Sequence, residues 1–301
     1  WSRTEVSLAF TLTALTVAAC SPFIGRLLDR YPARRIVIPC TAIYGITFGS
    51  LAYLTPHLSH LLAVFFVLGV VGNATTQLGY ARIASAWFDR ERGRALAAVM
   101  AGSGLGSMLF PPIAQALISA CGWRVAYAVL GGVILLLGIP LAVLFLYEPE
   151  ISPSQPSAQP AHTREPLWQS ILTFRFLGIV GALLLFSFAT NGLYAHWAAL
   201  LTDRGFPAEL AATVLSVAGL AALTSKLSTG YLLDRFVAGR AVAGLLAACG
   251  AGFLCVIYGH ATWLAFAAAM LVGLGMGAES DAVPFLLTRY AWDALAASGD
   301  G

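Results

Sequence analysis

Five stretches of this chain, 6–25, 36–56, 61–81, 95–123 and 125–147, contain no Asp, Glu, Lys or Arg. Each matches the roughly 20 mainly apolar residues that a helix needs to cross about 30 Å of hydrocarbon. Four more apolar runs follow at 176–201, 207–235, 240–259 and 261–289, with few charges. Of the 301 residues, 59% are hydrophobic and 10% charged, whereas about a quarter are charged in a soluble domain. Lipid is therefore part of the solvent. Alternation suited to barrel strands is absent, so the expected fold is all-α, a polytopic membrane bundle of about nine helices.

One string occurs twice. Gly25, Arg26, Leu27, Leu28, Asp29, Arg30, Tyr31 returns as Gly230, Tyr231, Leu232, Leu233, Asp234, Arg235, Phe236, a period of 205 residues (230 minus 25). That period is far too long for a solenoid and predicts two pseudo-symmetric halves of one membrane body. Residues 1–147 form the expected N-terminal bundle and 169–301 the C-terminal one. Between them 148–168 is rich in Pro, Ser, Gln and Ala, the composition of an extended or flexible linker.

Net charge is only +3, but its placement is uneven. With the first helix running inward, Arg26, Arg30, Arg34, Arg35, Arg90, Arg92, Arg94, Arg164, Arg175, Arg235, Arg240 and Arg289 share one side, against Arg3, Arg124 and Arg204 on the other. Because Lys and Arg accumulate on cytoplasmic links, the repeated motifs and the linker are expected inside and Trp1 outside. Trp1–Glu5 then reads as an outer interfacial link. These arginines set topology and give no case for nucleic acid. Cys20, Cys40, Cys121, Cys249 and Cys255 lack CxxC spacing and read as small core residues, with no metal or other cofactor implied. The glycines around Gly102, Gly104 and Gly106 follow no strand, so they are not a phosphate loop. Instead Gly102 with Gly106, and Ser103 with Ser107, at spacing four, are expected to admit a neighbouring helix, and Pro111 and Pro112 to kink theirs. No nucleophile and base fall in a recognisable motif, so enzymatic chemistry is not expected.

The candidate site residues are the polar groups inside the apolar runs. Asn73, Gln77 and Tyr80 share one helix face, which either hydrogen-bonds a neighbouring helix or forms the polar wall of a cavity. Arg82 is close enough to the inner surface to snorkel there. Asn191, Tyr194 and His196 lie toward the outer end of the sixth helix. His196 is either a titrating group for proton coupling or an interfacial anchor beside Trp197. Lys226 lies eight residues before Asp234, roughly 12 Å from the inner surface at 1.5 Å per residue. A lysine at such depth costs about 2.5 to 3.5 kcal/mol or more, and either marks a substrate or ion path or snorkels inward. Glu279 and Asp281 sit among Gly273, Gly275 and Gly277, and ten residues place Glu279 about 15 Å from Arg289, near mid-depth. One of these acids is expected to pair with Lys226, leaving the other for a proton or a partner.

At Gly25, Leu27, Asp29 and Arg30 the chain resembles the major facilitator superfamily, with its GxLxDR link motif, and Gly230, Asp234 and Arg235 give a looser second copy. Trp1–Glu5, 87–127 and the string Gly277–Asp281 resemble bacterial relatives of monocarboxylate transporters and oxalate/formate antiporters. The resemblance implies a secondary transporter of the inner (plasma) membrane, acting as a monomer by alternating access on a small organic anion, with protons coupled to the flux. It implies that Lys226 meets the carboxylate; Asn73, Gln77, Tyr80, Asn191 and Tyr194 are then expected to line its path, and Gly25, Asp29, Arg30, Gly230, Asp234 and Arg235 to gate it. Glu279, Asp281 or His196 would then move the proton. The family has twelve helices, so the first and last two are expected to be missing from this stretch. The competing expectations are efflux of a cationic or neutral compound, with the acids as binding charges, and a non-transporting membrane sensor or inert fragment.

Overall fold

The computed structural model describes residues 2–75, 80, 83, 87, 92–147, 174–235, 238–259 and 261–279. These are helical apart from turns, and no strand occurs among them. Helix α1 spans Arg3–Arg30 and is followed by α2, Ala33–Ser50, with a short 3-10 turn, and α3, Leu58–Ala74. Then come α4, Arg92–Val133, a π-helical turn over Ile134–Gly138, and α5, Ile139–Phe145. The last four are α6, Phe174–Asp203, α7, Ala208–Arg235, α8, Ala238–Tyr258, and α9, Thr262–Glu279.

Of the expected outer link at Trp1–Glu5, the described residues 2–5 are instead the start of a helix. Ser2 and Glu5 form a capping box, in which the Glu5 amide donates to Ser2 Oγ at 3.3 Å and the Ser2 amide to the Glu5 carboxylate at 2.7 Å. Both terminal donors are thereby satisfied, and the helix begins at Arg3. Its end comes at Tyr31, whose extended backbone is the conformation that Pro32 demands of its predecessor. The turn expected at Cys121–Arg124 is present, because Gly122 takes φ 79° and breaks α4 into two limbs. Near Pro140, which has no amide to give, the chain widens into the π-helical turn.

Among the described residues five helical segments are long and apolar enough to cross a membrane: Arg3–Arg30, Ala33–Tyr53, Ala98–Phe145, Ala208–Ser228 and Thr262–Glu279. Two of the nine expected runs reach beyond the described residues, one at 76–79 and 81 and the other at 280–289.

The repeat of the sequence is also a repeat of structure. Helices α1 and α7 are each 28 residues long and begin 205 residues apart (208 minus 3). The starts of α2 and α8 also differ by 205 (238 minus 33), and those of α3 and α9 by 204 (262 minus 58).

The chain divides into two compact units, one of Trp1–Val99 with Ala114–Pro153, the other of Met100–Ile113 with Ser154–Gly301. In the first, α1 and α3 run parallel. Thr13 Oγ1 donates to the Phe65 carbonyl at 3.0 Å, and Phe10 meets Phe65 edge to face. Against α2 lies the second limb of α4, antiparallel, with Gly49 and Gly131 so close that a Cβ on Gly131 would lie 2.6 Å from Gly49 Cα. Arg34 ends that contact by donating to the Val143 carbonyl at 2.9 Å, its guanidinium over the Tyr147 ring. In the second unit the core gathers Trp197, Val214, Cys249, Ala268 and Val272, all nearly or fully buried. Helices α7 and α9 are parallel there, and α8 is antiparallel to α9 through Gly252 against Val272 and Gly275 against Cys249.

Candidate functional site

Lys226 lies two and a half turns before the end of α7, half-buried. Its position belongs to a face made by Ser216, Gly219, Leu223 and Lys226, spaced three, four and three, so that all four look the same way. The segment Met100–Ile113 of α4 packs on that face within the second unit. Gly104 sits where a Cβ would come 2.8 Å from Leu223 Cβ, and a Cβ on Gly219 would lie 2.5 Å from the Met108 amide nitrogen. Residue numbers fall along α4 as they rise along α7, so the two are antiparallel. At the Lys226 end of this seam the lysine Nζ donates to Ser103 Oγ at 3.0 Å.

The other end shows why this part of α4 binds a neighbour. Met108 has Pro111 and Pro112 three and four residues ahead, so neither usual helical donor to its carbonyl exists. Ser216 Oγ supplies the missing hydrogen, donating to the Met108 oxygen at 2.5 Å. A buried carbonyl without a donor is costly, and here α7 satisfies it. Of the two small-residue pairs expected to admit a neighbour, Ser103 with Ser107 lies on the seam. Gly102 has nothing within 4 Å of where its Cβ would be, and Gly106 meets only Phe110 of its own helix.

Glu279 ends the described part of α9 and is half-buried. Its carboxylate accepts a hydrogen bond from Ser187 on α6, and one turn on Asn191 Nδ2 donates to the Ser187 carbonyl at 2.9 Å. Thr190, fully buried, donates to Phe186 O at 2.9 Å. Tyr194 packs against the core of the second unit, whereas His196 is exposed beside a Trp197 that is 1% exposed. Trp197 is thus a core residue. Asp281 and Gln77 lie outside the described residues.

In the first unit Asn73 is 2% exposed, and its amide donates to the Val17 carbonyl at 3.0 Å and to Ser21 Oγ at 2.9 Å, both on α1. Of the two uses open to its polar face, this is helix-to-helix hydrogen bonding. Tyr80 is half-buried against the cluster of Leu28, Ala33 and Val37. Gly25 has open space around it, and Asp29 and Arg30 are exposed at the end of α1, Arg30 lying 5.9 Å from the Tyr31 ring centroid. Gly230, Asp234 and Arg235 occupy the last two turns of α7.

Two partners were not foreseen from sequence, Ser103 for Lys226 and Ser187 for Glu279. The signal for Ser103 was its membership of a small-residue stripe. Ser187 offered only a hydroxyl one turn from Asn191. Among the described residues no group of three or more His, Cys, Asp or Glu is placed to hold a metal ion.

Known proteins share this layout. The sequence profile of the Major Facilitator Superfamily matches residues 1–299. Human monocarboxylate transporter 11 is 30% identical over 292 residues, which cover 90% of this chain and 60% of that protein. The class C tetracycline resistance protein of Escherichia coli is 29% identical over 291 residues, 94% of this chain and 71% of that one. Among solved structures, a bacterial homolog of the human lysosomal transporter Spinster, inward-facing and unoccupied, superposes with a TM-score of 0.62 at 19% identity. That match covers 90% of this chain and 65% of the Spinster homolog, so the chain spans about three fifths of the length of such relatives. The match over nearly every residue, the paired helix starts and the all-helical membrane fold together make this chain a member of the major facilitator superfamily.

Proposed function

We propose that the protein is a proton-coupled secondary transporter of a small organic anion, a monocarboxylate or close relative, working by alternating access. The observation that carries this is the seating of Lys226. Its ammonium donates to Ser103 on the neighbouring helix α4, at the Lys226 end of the seam that Gly104 and Leu223 hold closed. A snorkelling lysine would hold its ammonium among the headgroups and not on a hydroxyl of a neighbouring helix. An ammonium kept at depth beside a hydroxyl suits a carboxylate, since intramembrane charge of this kind accompanies substrate paths.

Glu279, and with it Asp281, supplies the proton in this reading, and Asn191, Tyr194 and His196 line the path toward the outer side. Asn73, Gln77 and Tyr80 belong to the first bundle, which ends near residue 147 before a cytoplasmic linker at 148–168. Such a protein would sit as a monomer in the plasma membrane. Its relative monocarboxylate transporter 11 agrees in substrate class by its name alone.

A second reading has an observation of its own. The half-buried Glu279 and the similarity to a tetracycline resistance protein favour efflux of a cationic or neutral compound, with the acid as the binding charge. Uptake of radiolabelled pyruvate, lactate and benzoate into liposomes holding the protein separates the two. Saturable uptake that disappears in Lys226→Ala is the expected result. Uptake undiminished by that substitution, or no uptake of any of the three acids, rejects the anion reading.

A further inference from the structure

We infer that Ser103 is a positioning residue for Lys226: α4 brings to the lysine of α7 the hydroxyl that fixes where its ammonium waits for the anion. This rests on the anion reading above. Lysine carries its charge on a flexible four-carbon stem, so the place of the charge is decided by what grips the head. Ser103 is oriented to grip it. Its own hydrogen is used on the Met100 carbonyl at 2.8 Å, which leaves the oxygen to accept, and it accepts from Lys226 Nζ at 3.0 Å. The serine thus donates and accepts at once without rotation of its hydroxyl.

The grip is also held in register. Gly104 against Leu223, Gly219 against Ser107 and Met108, and Ser216 on the Met108 carbonyl fix the segment of α4 along α7. Ser103 cannot slide along α7 without breaking that bond or parting the glycine contacts. An ammonium already in place binds a carboxylate without first losing rotamer freedom, which is the physical content of preorganisation. In the first unit the position equivalent to Lys226 is Ser21 (226 minus 205), and its partner lies within the repeat, on α3. Among the described residues Lys226 takes its partner from α4.

Kinetics of pyruvate, lactate or benzoate uptake by the reconstituted protein test this. In Ser103→Ala the KM is expected to rise roughly three- to tenfold, the net weight of one ordinary intramolecular hydrogen bond, while the maximal rate stays within about twofold. Ser103→Thr should restore the KM, because a helical threonine can place its hydroxyl on the same preceding carbonyl. Thermal unfolding of purified Ser103→Ala, followed beside the uptake, should match the parent. An unchanged KM in Ser103→Ala, with uptake lost in Lys226→Ala, overturns the positioning role and leaves the anion reading standing. A KM that stays high in Ser103→Thr, or a loss of maximal rate together with thermal stability in Ser103→Ala, assigns the serine to packing and also overturns it. Uptake intact in Lys226→Ala removes both ideas together.

Discussion

In the first unit a Cβ placed on Gly69 of α3 would lie 2.9 Å from Thr16 Cβ on α1, and in the second one placed on Gly273 of α9 would lie 2.8 Å from Ala221 Cβ on α7. The partners correspond under the repeat, 273 minus 69 being 204 and 221 minus 16 being 205. One turn further the likeness ends. Asn73 fills the space between α3 and α1 and bonds to Val17 and Ser21, but its counterpart on α9 is Gly277 (277 minus 73 is 204). There α9 drops onto α7, so that a Cβ would collide with the Ala222 carbonyl oxygen and come within 2.6 Å of Ser225 Cβ. Ser225 Oγ then donates across to the Leu274 carbonyl at 2.7 Å. The same helix pair is thus plugged by an amide in one unit and closed by bare backbone in the other. Where the plug is missing, the residue that would have received it is a lysine, and it turns to α4.

The largest effect that tests this difference is expected at Gly277. Backbone cannot rotate out of the way as a side chain can, so Gly277→Ala should exceed the about 1 to 3 kcal/mol usual for an inserted methyl, and little folded protein should survive detergent extraction and size-exclusion chromatography. If Gly277→Ala elutes and melts like the parent, α9 does not close on α7 by backbone contact and the contrast between the units is lost. Next in size is Asn73→Ala. It removes two hydrogen bonds from a side chain that is 2% exposed, for about 1 to 2 kcal/mol, given the modest worth of interhelical bonds in lipid. Thermal melts should fall accordingly. The KM of anion uptake should stay put, because the amide is spent on α1, and a raised KM would move Asn73 from the scaffold into the path.

The sequence made this plan readable only up to a point. Charge-free runs fixed the helices in order, and the doubled GxLxDR string fixed the repeat to within a residue of the observed helix starts. The Ser2–Glu5 box was also visible, as Ser-x-x-Glu, yet aromatic Trp1 drew the reading toward an interface. The partners of the two charges were hidden for a geometric reason. Lys226 and Ser103 are 123 residues apart, and Glu279 and Ser187 are 92 apart. Periodicity ranks faces within a helix but says nothing about which helix lies opposite. Depth along α7 was computable from rise per residue, whereas the direction taken by the lysine stem depended on a hydroxyl from another element.

The seam between α4 and α7 is built differently from the contact of α1 with α3, and smaller effects there sharpen the comparison. Ser216→Ala should cost about 1 kcal/mol, since it deprives the Met108 carbonyl of the donor that Pro111 and Pro112 cannot give. Restoring an amide by Pro112→Ala in the same chain should recover that loss, and a double variant no more stable than Ser216→Ala would show that the two prolines do not create the need.

The smallest effect separates neighbours two residues apart. Gly104→Ala would press a methyl to 2.8 Å from Leu223 Cβ and 3.0 Å from its Cα, and should lower the melting temperature clearly. Gly102→Ala meets nothing within 4 Å, while alanine is favoured over glycine in a helix interior by up to about 1 kcal/mol. Its melt should therefore be unchanged or slightly raised, with uptake kinetics as in the parent. Spacing of four relates Gly102 to Gly106 as surely as it relates Ser103 to Ser107, so sequence cannot choose between the stripes. A loss of stability in Gly102→Ala equal to that of Gly104→Ala would mean that α4 is rotated, and Ser103 would no longer face Lys226.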